Sequence, residues 1–164
     1  MILTENPFGV GVASFPAARE ARFGKRQDTH NLYMEVATNL GIQGLLVFFT
    51  FLAYLFVAYR QVQSTCARYR QNILRLLWRS GVSPPERRAA KRLIDDLDLL
   101  VAVSKAAAGF IFVRLALGVF GMDLYETYWW FGAGLAICML NMLPVVATNM
   151  RRLGQYSSAG DSSV

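Results

Sequence analysis

Three long apolar runs constrain this chain more than anything else in it: Ile42 to Tyr59, Leu99 to Phe120 and Thr127 to Thr148. Crossing a bilayer core of about 30 Å takes roughly 18 to 20 mostly apolar residues in a helix, and each run meets that length. A soluble chain of 164 residues would spread its apolar residues periodically along amphipathic elements, whereas here a 54% hydrophobic content is gathered into blocks. Hydrocarbon offers backbone amides and carbonyls no partner, so a span must be a helix or a strand of a closed barrel, and no series of alternating strands is present. The sequence predicts an all-α integral membrane protein with three transmembrane helices at 42–59, 99–120 and 127–148.

The formal net charge of +6 raises nucleic acid as a partner, so the placement of the charges has to decide. Nine of the seventeen Lys and Arg residues fall between Arg60 and Asp98, and Arg151 and Arg152 follow the third run. The short 121–126 connection carries Asp123 and Glu126 and no basic residue. Cytoplasmic loops carry the Lys and Arg excess, so the 60–98 loop and the 149–164 tail are expected in the cytoplasm, with 1–41 and 121–126 outside. Tyr125, Tyr128, Trp129 and Trp130 would form an aromatic anchor at the outer interface. The partners implied are membrane lipids and not nucleic acid. Cys66 in the inner loop and Cys138 within a span predict no disulfide. One histidine and no closely spaced cysteine pair predict no metal site.

Outside the spans the pattern is thinner. From Asp28 the chain turns helical, with Asp28 or Thr29 as cap and Leu32, Tyr33, Val36, Ala37 and Leu40 on one face of a short amphipathic helix that Gly41 ends or bends. Asn72 to Arg79 mixes leucines and Trp78 with arginines, which suits an amphipathic segment lying in the inner interface. Ser83, Pro84 and Glu86 read as a cap, a first helical position and a capping-box acid, starting a helix that runs into the second span. The serine-rich tail is too polar to fold and is expected to be disordered. Residues 1–41 lack a basic, apolar, small-residue export signal, yet the charge rule places them outside. That conflict predicts that the chain is the end of a longer multi-span bundle whose earlier helices are missing.

The residues most suggestive of chemistry are Asn6-Pro7-Phe8-Gly9-Val10-Gly11, then His30-Asn31-Leu32-Tyr33-Met34-Glu35, then Gly41-Ile42-Gln43-Gly44 at the entry to the first span. Gly9 and Gly11 are no nucleotide loop, because no strand-turn-helix context surrounds them. In order, spacing and inferred location, the three pieces resemble the C-terminal half of the O-antigen ligase and O-antigen polymerase superfamily. There a GxG turn in a periplasmic loop precedes an HNxYL-type helix, which leads through GxxG into the next span. The motif match covers residues 3–60, and the later helices match by hydropathy alone.

The resemblance implies a membrane glycosyltransferase of the bacterial inner (plasma) membrane that moves glycan from an undecaprenyl diphosphate donor to an acceptor hydroxyl at the periplasmic face. The acceptor is a growing polysaccharide or the lipid A core, or a protein in the glycosylating branch, and no cofactor or metal is required. By position His30 is the family's periplasmic histidine, a general base for the acceptor hydroxyl or an aid to diphosphate departure. An imidazole of ordinary pKa near about 6.5 exchanges a proton at neutral pH. Asn31 would orient it or bind sugar, and Gly9, Gly11, Gly41 and Gly44 are the motif glycines.

The bland alternative is that His30 is a solvated residue at a helix start. Arg19, Arg22, Lys25 and Arg26 match no family motif and read as a solvated loop able to attract an anionic donor. Lys105 and Arg114 interrupt the second run and are functional candidates for that reason. Lys105 would share a face with Asp98. Arg114 would snorkel outward towards Asp123 or Glu126, or contact the donor diphosphate. A competing reading from another class is a small non-catalytic membrane protein that binds a partner or anionic lipid through the basic 60–98 loop.

Overall fold

A computed structural model describes residues 5–27, 29–78, 82–121 and 126–161, with side chains described up to residue 152. Among these residues it is all-helical: α1 is Phe15–Phe23, α2 Leu32–Leu77, α3 Pro84–Leu117 and α4 Tyr128–Asp161. The three long helices are each apolar enough to cross a membrane, and only 22%, 17% and 28% of their most apolar windows is buried. Phe49, Tyr54, Val57, Leu99, Phe112, Val113 and Phe131 all lie open. So much exposed apolar surface would drive aggregation in water and is ordinary solvation in lipid. The expected three-helix membrane fold is therefore present.

The helices are longer than their apolar runs. The 60–98 segment, assigned to a cytoplasmic loop, is largely helical: α2 continues from Tyr59 to Leu77, and α3 runs from Pro84 into the second apolar run. No glycine or proline interrupts Arg60 to Leu77, and extending a formed helix adds one hydrogen bond per residue fixed, so it continues into the polar phase. The amphipathic segment expected at Asn72 to Arg79 is the end of α2; Trp78 beyond it is 88% exposed, and Arg79 lies outside the described residues. The start of α3 is as its signals predict, with the Ser83 amide donating to Glu86 Oε2 at 2.8 Å and Pro84 as first residue. The tail expected to be disordered is helical in α4 as far as Asp161, since no proline follows Pro144 to stop the helix.

The chain forms two compact units, Met1–Leu55 with Gly109–Trp130, and Phe56–Ala108 with Phe131–Val164. The second is held by a narrow seam. Tyr59, Val62, Cys66 and Ile73 of α2, Ala90, Leu93, Leu97, Leu100 and Ser104 of α3, and Ala136, Met139, Leu143 and Val146 of α4 are buried, mostly at spacings of three and four. That spacing lets one stripe per helix interlock and leaves the rest of each helix to lipid. Polar contacts fasten the seam: the Ser104 hydroxyl donates to the Tyr59 carbonyl at 3.0 Å, and the Tyr59 hydroxyl donates to the Gly132 carbonyl at 2.7 Å. Interhelical bonds of this kind are worth about 0.6 to 2 kcal/mol each in membrane proteins.

The first unit is built around a break in α2. Gly41 has φ 70° and ψ −168°, which interrupts the helix between Leu40 and Ile42. The segment Pro7–Gly11 lies across the break and takes up the freed backbone groups. The Val10 and Gly11 amides donate to the carbonyls of Thr38 (2.9 Å) and Asn39 (3.0 Å), and the Ile42 amide donates to the Pro7 carbonyl at 3.0 Å. The Gln43 side chain adds a bond to the Phe8 carbonyl at 3.1 Å. Backbone meets backbone so closely that a Cβ on Gly9 would stand 2.6 Å from the Gly41 nitrogen, and one on Gly41 would stand 2.7 Å from the Gly9 nitrogen. The bend folds Leu40 against Gly44, where a Cβ would collide with the Leu40 side chain. Two of the four motif glycines, Gly9 and Gly41, are thus required by one backbone crossing, and Gly44 by the Leu40 side chain beside it.

Gly9→Ala and Gly41→Ala should each cost more than about 2 kcal/mol, from the clash and from positive φ together, and the double substitution should cost clearly less than their sum because both break the same crossing. Gly134→Ala, in α4 with open space around it, should be neutral or stabilising by up to about 1 kcal/mol. Thermal unfolding of the four variants in detergent checks this, and additive losses at Gly9 and Gly41 would contradict the shared crossing.

Candidate functional site

The motif residues converge on the start of α2, which docks head-to-tail on the end of α3 in the first unit. The first amides of a helix and its last carbonyls have no partner within the helix, and here one set serves the other. The Leu32 amide donates to the Gly118 carbonyl at 2.7 Å, Asn31 Nδ2 to the Val119 carbonyl at 2.9 Å, and the Tyr33 hydroxyl to the Leu115 carbonyl at 2.8 Å. Opposite partial charges of two helix ends face each other there, which adds to the hydrogen bonds. The approach is close enough that a Cβ on Gly118 would stand 2.8 Å from Leu32 Cδ2.

Asn31 is the N-cap of α2: its Oδ1 accepts from the Met34 amide at 3.0 Å while its Nδ2 holds Val119. This corrects the cap expected at Asp28 or Thr29. Asn31 directly precedes the first helical residue and is among the best capping residues; Thr29 donates to the Asn31 carbonyl at 3.2 Å, and Asp28 lies outside the described residues. Both ends of the Asn31 amide are engaged, so its observed work is to position the helix start.

His30 sits one residue earlier, exposed, with φ 47°. Left-handed backbone costs a side-chain-bearing residue about 1 to 2 kcal/mol, although histidine visits it more readily than most. Cap and docking bonds on its C-terminal side hold the conformation in place. The imidazole is therefore presented to solvent at the head of a helix that cannot easily shift.

Arg114, in the last turn of α3, does not reach freely outward. Its Nη2 donates to the Tyr128 hydroxyl at 2.9 Å, and its guanidinium carbon lies 4.3 Å from the centre of the Tyr128 ring. Tyr128 packs edge-on against Phe110 and tilted against Trp129, with ring centres 6.0 and 5.0 Å apart, and Trp129 meets Phe48 at 5.6 Å. The expected aromatic anchor thus divides: Trp129 is 4% exposed and belongs to the packing, Trp130 is 73% exposed, and Tyr125 lies outside the described residues, as does Asp123. Beyond the break at Gly41, an apolar groove of about 410 Å³ runs along α2, lined by Leu40, Val47, Phe48, Phe51, Trp129 and Trp130 among others.

Several residues at this end escaped the sequence reading. Glu35 and Asn39 are buried, although the periodic stripe was drawn through Leu32, Val36 and Ala37. They stand three and seven residues after Leu32, on its own face, and their positions were the available signal. Asn39 Oδ1 accepts from the Phe15 amide at 3.2 Å and so serves the start of α1, whose own cap residue Ser14 makes no capping bond and turns its hydroxyl to the Val12 carbonyl at 3.2 Å. Helix α1 itself was announced by proline in its first turn and by Gly24 at its end, left-handed with its amide on the Glu20 carbonyl.

Of the four cations expected in a solvated loop, Arg19 and Arg22 instead lie in α1, and Arg22 forms a two-pronged ion pair with Glu5. Its hydrogen bond first and its charge second hold the Glu5 carboxyl below the usual carboxylate range. Arg26 stands 3.9 Å from Glu20. Among the described residues no group of three or more His, Cys, Asp or Glu side chains is placed to hold a metal ion.

His30, Asn31, Arg114 and the four motif glycines all belong to the first unit, while Lys105 belongs to the second. In comparisons with known proteins, no family model matches the chain, and neither a curated protein nor a solved structure matches it significantly.

Proposed function

We propose that this chain carries the catalytic histidine loop and three spans of a bacterial membrane glycosyltransferase of the O-antigen ligase and polymerase type. The observation that carries the reading is His30: an exposed imidazole on left-handed backbone, directly before a capped and docked helix start. Strained, over-determined backbone at an exposed polar residue is a common mark of a working site.

In the proposed reaction His30 accepts the proton of an acceptor hydroxyl as the oxygen attacks the anomeric carbon of the donor sugar. A C–O bond forms to the acceptor, the bond to the diphosphate oxygen breaks, and undecaprenyl diphosphate leaves with the electron pair. The acceptor is a hydroxyl of the lipid A core or of a growing polysaccharide. The apolar groove beside Trp129 and Trp130 suits a stretch of the donor's prenyl chain. Arg114, already bound to Tyr128, acts chiefly as a tie between α3 and α4. The charge distribution supports an orientation with His30 outside, for this reading at the periplasmic face of the inner membrane, and the helical extensions around Arg60 to Asp98 in the cytoplasm.

His30→Gly separates chemistry from folding, because glycine accepts φ 47° without strain. In the complete transferase this variant should insert normally, unfold no earlier than the parent, and lose glycan transfer by about 10²-fold to 10⁴-fold. Unchanged surface polysaccharide in cells carrying it would overturn the catalytic role.

The orientation is checked by single cysteines at the exposed positions Ala17 and Ala89, with Cys66 and Cys138 replaced by alanine. An impermeant thiol reagent added to intact spheroplasts should label Ala17→Cys and spare Ala89→Cys, and the reverse pattern would refute the assignment.

A further inference from the structure

The second unit holds a cleft that the proposed reaction does not use. It has a volume of about 510 Å³ and lies between α2 and α3, where Arg60, Arg70 and Lys105 line it against the single carboxylate of Asp98. Arg70 Nε stands 3.2 Å from Asp98 Oδ1 across the cleft, which leaves Arg60 and Lys105 as the uncommitted excess of positive charge among its lining residues. Gln63 Nε2 donates to Ser104 Oγ at 3.1 Å and ties the two helices together at this level.

That bond fixes the depth of the cleft. Gln63 lies four residues past Tyr59, where the apolar run of α2 ends, while Ser104 and Lys105 lie inside the apolar run of α3. The cations on the two helices are therefore level with a membrane boundary: apolar α2 lies on one side of them and the polar extension to Leu77 on the other. Arg60 and Lys105 are both exposed, and the apolar residues Leu97 and Val101 share the lining. The Arg60 guanidinium and the Lys105 ammonium beside apolar wall, at the depth of a headgroup, match the phosphate and first acyl carbons of an anionic phospholipid.

We infer that this cleft is a binding site for one anionic phospholipid headgroup, with Arg60 and Lys105 as its phosphate contacts. The inference is independent of the reaction proposed for His30. It also differs from attraction by the basic segment as a whole, because it assigns the binding to two residues on facing helices.

The test uses the full chain in detergent with equal amounts of phosphatidylglycerol and phosphatidylcholine, counting retained lipids by native mass spectrometry. The parent should retain one phosphatidylglycerol in preference to phosphatidylcholine by about tenfold, and Arg60→Gln with Lys105→Gln should abolish the preference. Arg87→Gln with Arg92→Gln removes the same charge from exposed positions of α3 outside the cleft and should leave the preference within about twofold. Equal loss from both pairs, or no preference in the parent, would overturn the site. Excess inorganic phosphate at matched ionic strength should not displace the lipid; full displacement would instead mark a soluble-anion site and overturn the lipid assignment. Should the cleft pair fail to give monodisperse helical protein, Lys105→Gln alone at its exposed position reads the same preference, and an unchanged value there would count against the site.

Discussion

A helix that enters a membrane through a break has to satisfy the backbone groups the break sets free, and the first unit is organised by that requirement. At Gly41 the ladder of α2 is interrupted, and the amides of Val10 and Gly11 and the carbonyl of Pro7 replace the missing partners. An unsatisfied amide or carbonyl in hydrocarbon costs several kcal/mol, so the 7–11 segment is as much a part of the first span as the helix it crosses. The start of α2 repeats the logic, with its first amide and two side-chain donors of its first turn ending on carbonyls at the close of α3. Between these two junctions the ten residues from Leu32 to Gly41 have little freedom to move.

That rigidity bears on His30. Left-handed backbone at a histidine would relax if either flank could yield, but the C-terminal flank is an N-cap bonded both to its own helix and to Val119. An imidazole used as a general base gains most when its position is set before the substrate arrives. The glycine motifs serve the same end at a distance. They bring two backbone segments into contact that any side chain at Gly9 or Gly41 would force apart. If the resemblance to polysaccharide ligases and polymerases reflects common chemistry, its glycine signature marks how the loop is anchored, and its histidine marks what the loop presents.

How much of this was legible in the sequence depends on the range of the physics involved. The bend at Gly41 and the capping signals at Ser83, Pro84 and Glu86 act within a few residues, and each is where the sequence placed it, whereas α3 stops at Leu117, short of the end of its apolar run at Phe120. The continuation of α2 from Tyr59 to Leu77 was hidden because hydropathy marks where lipid ends, and a helix has no reason to end there without a breaker. Burial of Glu35 and Asn39 was hidden for a different reason. Their polar character assigned them to solvent, and at Asn39 it is the 7–11 segment and the start of α1, distant in sequence, that bond to it. The contact between Gly118 and Leu32 joins residues 86 positions apart and left no local trace.

Lys105 and Arg114 show why an ionisable residue inside an apolar run should be judged by its neighbours before its depth is inferred. Counted along α3, both interrupt what reads as hydrocarbon-spanning helix. The hydrogen bond from Gln63 to Ser104 sets Lys105 beside the polar end of α2, so its ammonium faces a boundary cleft and not the middle of a bilayer. Arg114 stands one turn before Gly118, whose carbonyl receives the first amide of α2, and its charge is spread over the Tyr128 hydroxyl and ring. A guanidinium over an aromatic face gains roughly 0.5 to 2 kcal/mol, more as water is excluded, so a cation near the end of a span can be held there as structure. Within each unit the cation lies where a neighbouring helix becomes polar or ends, and the membrane pays for neither charge at full depth.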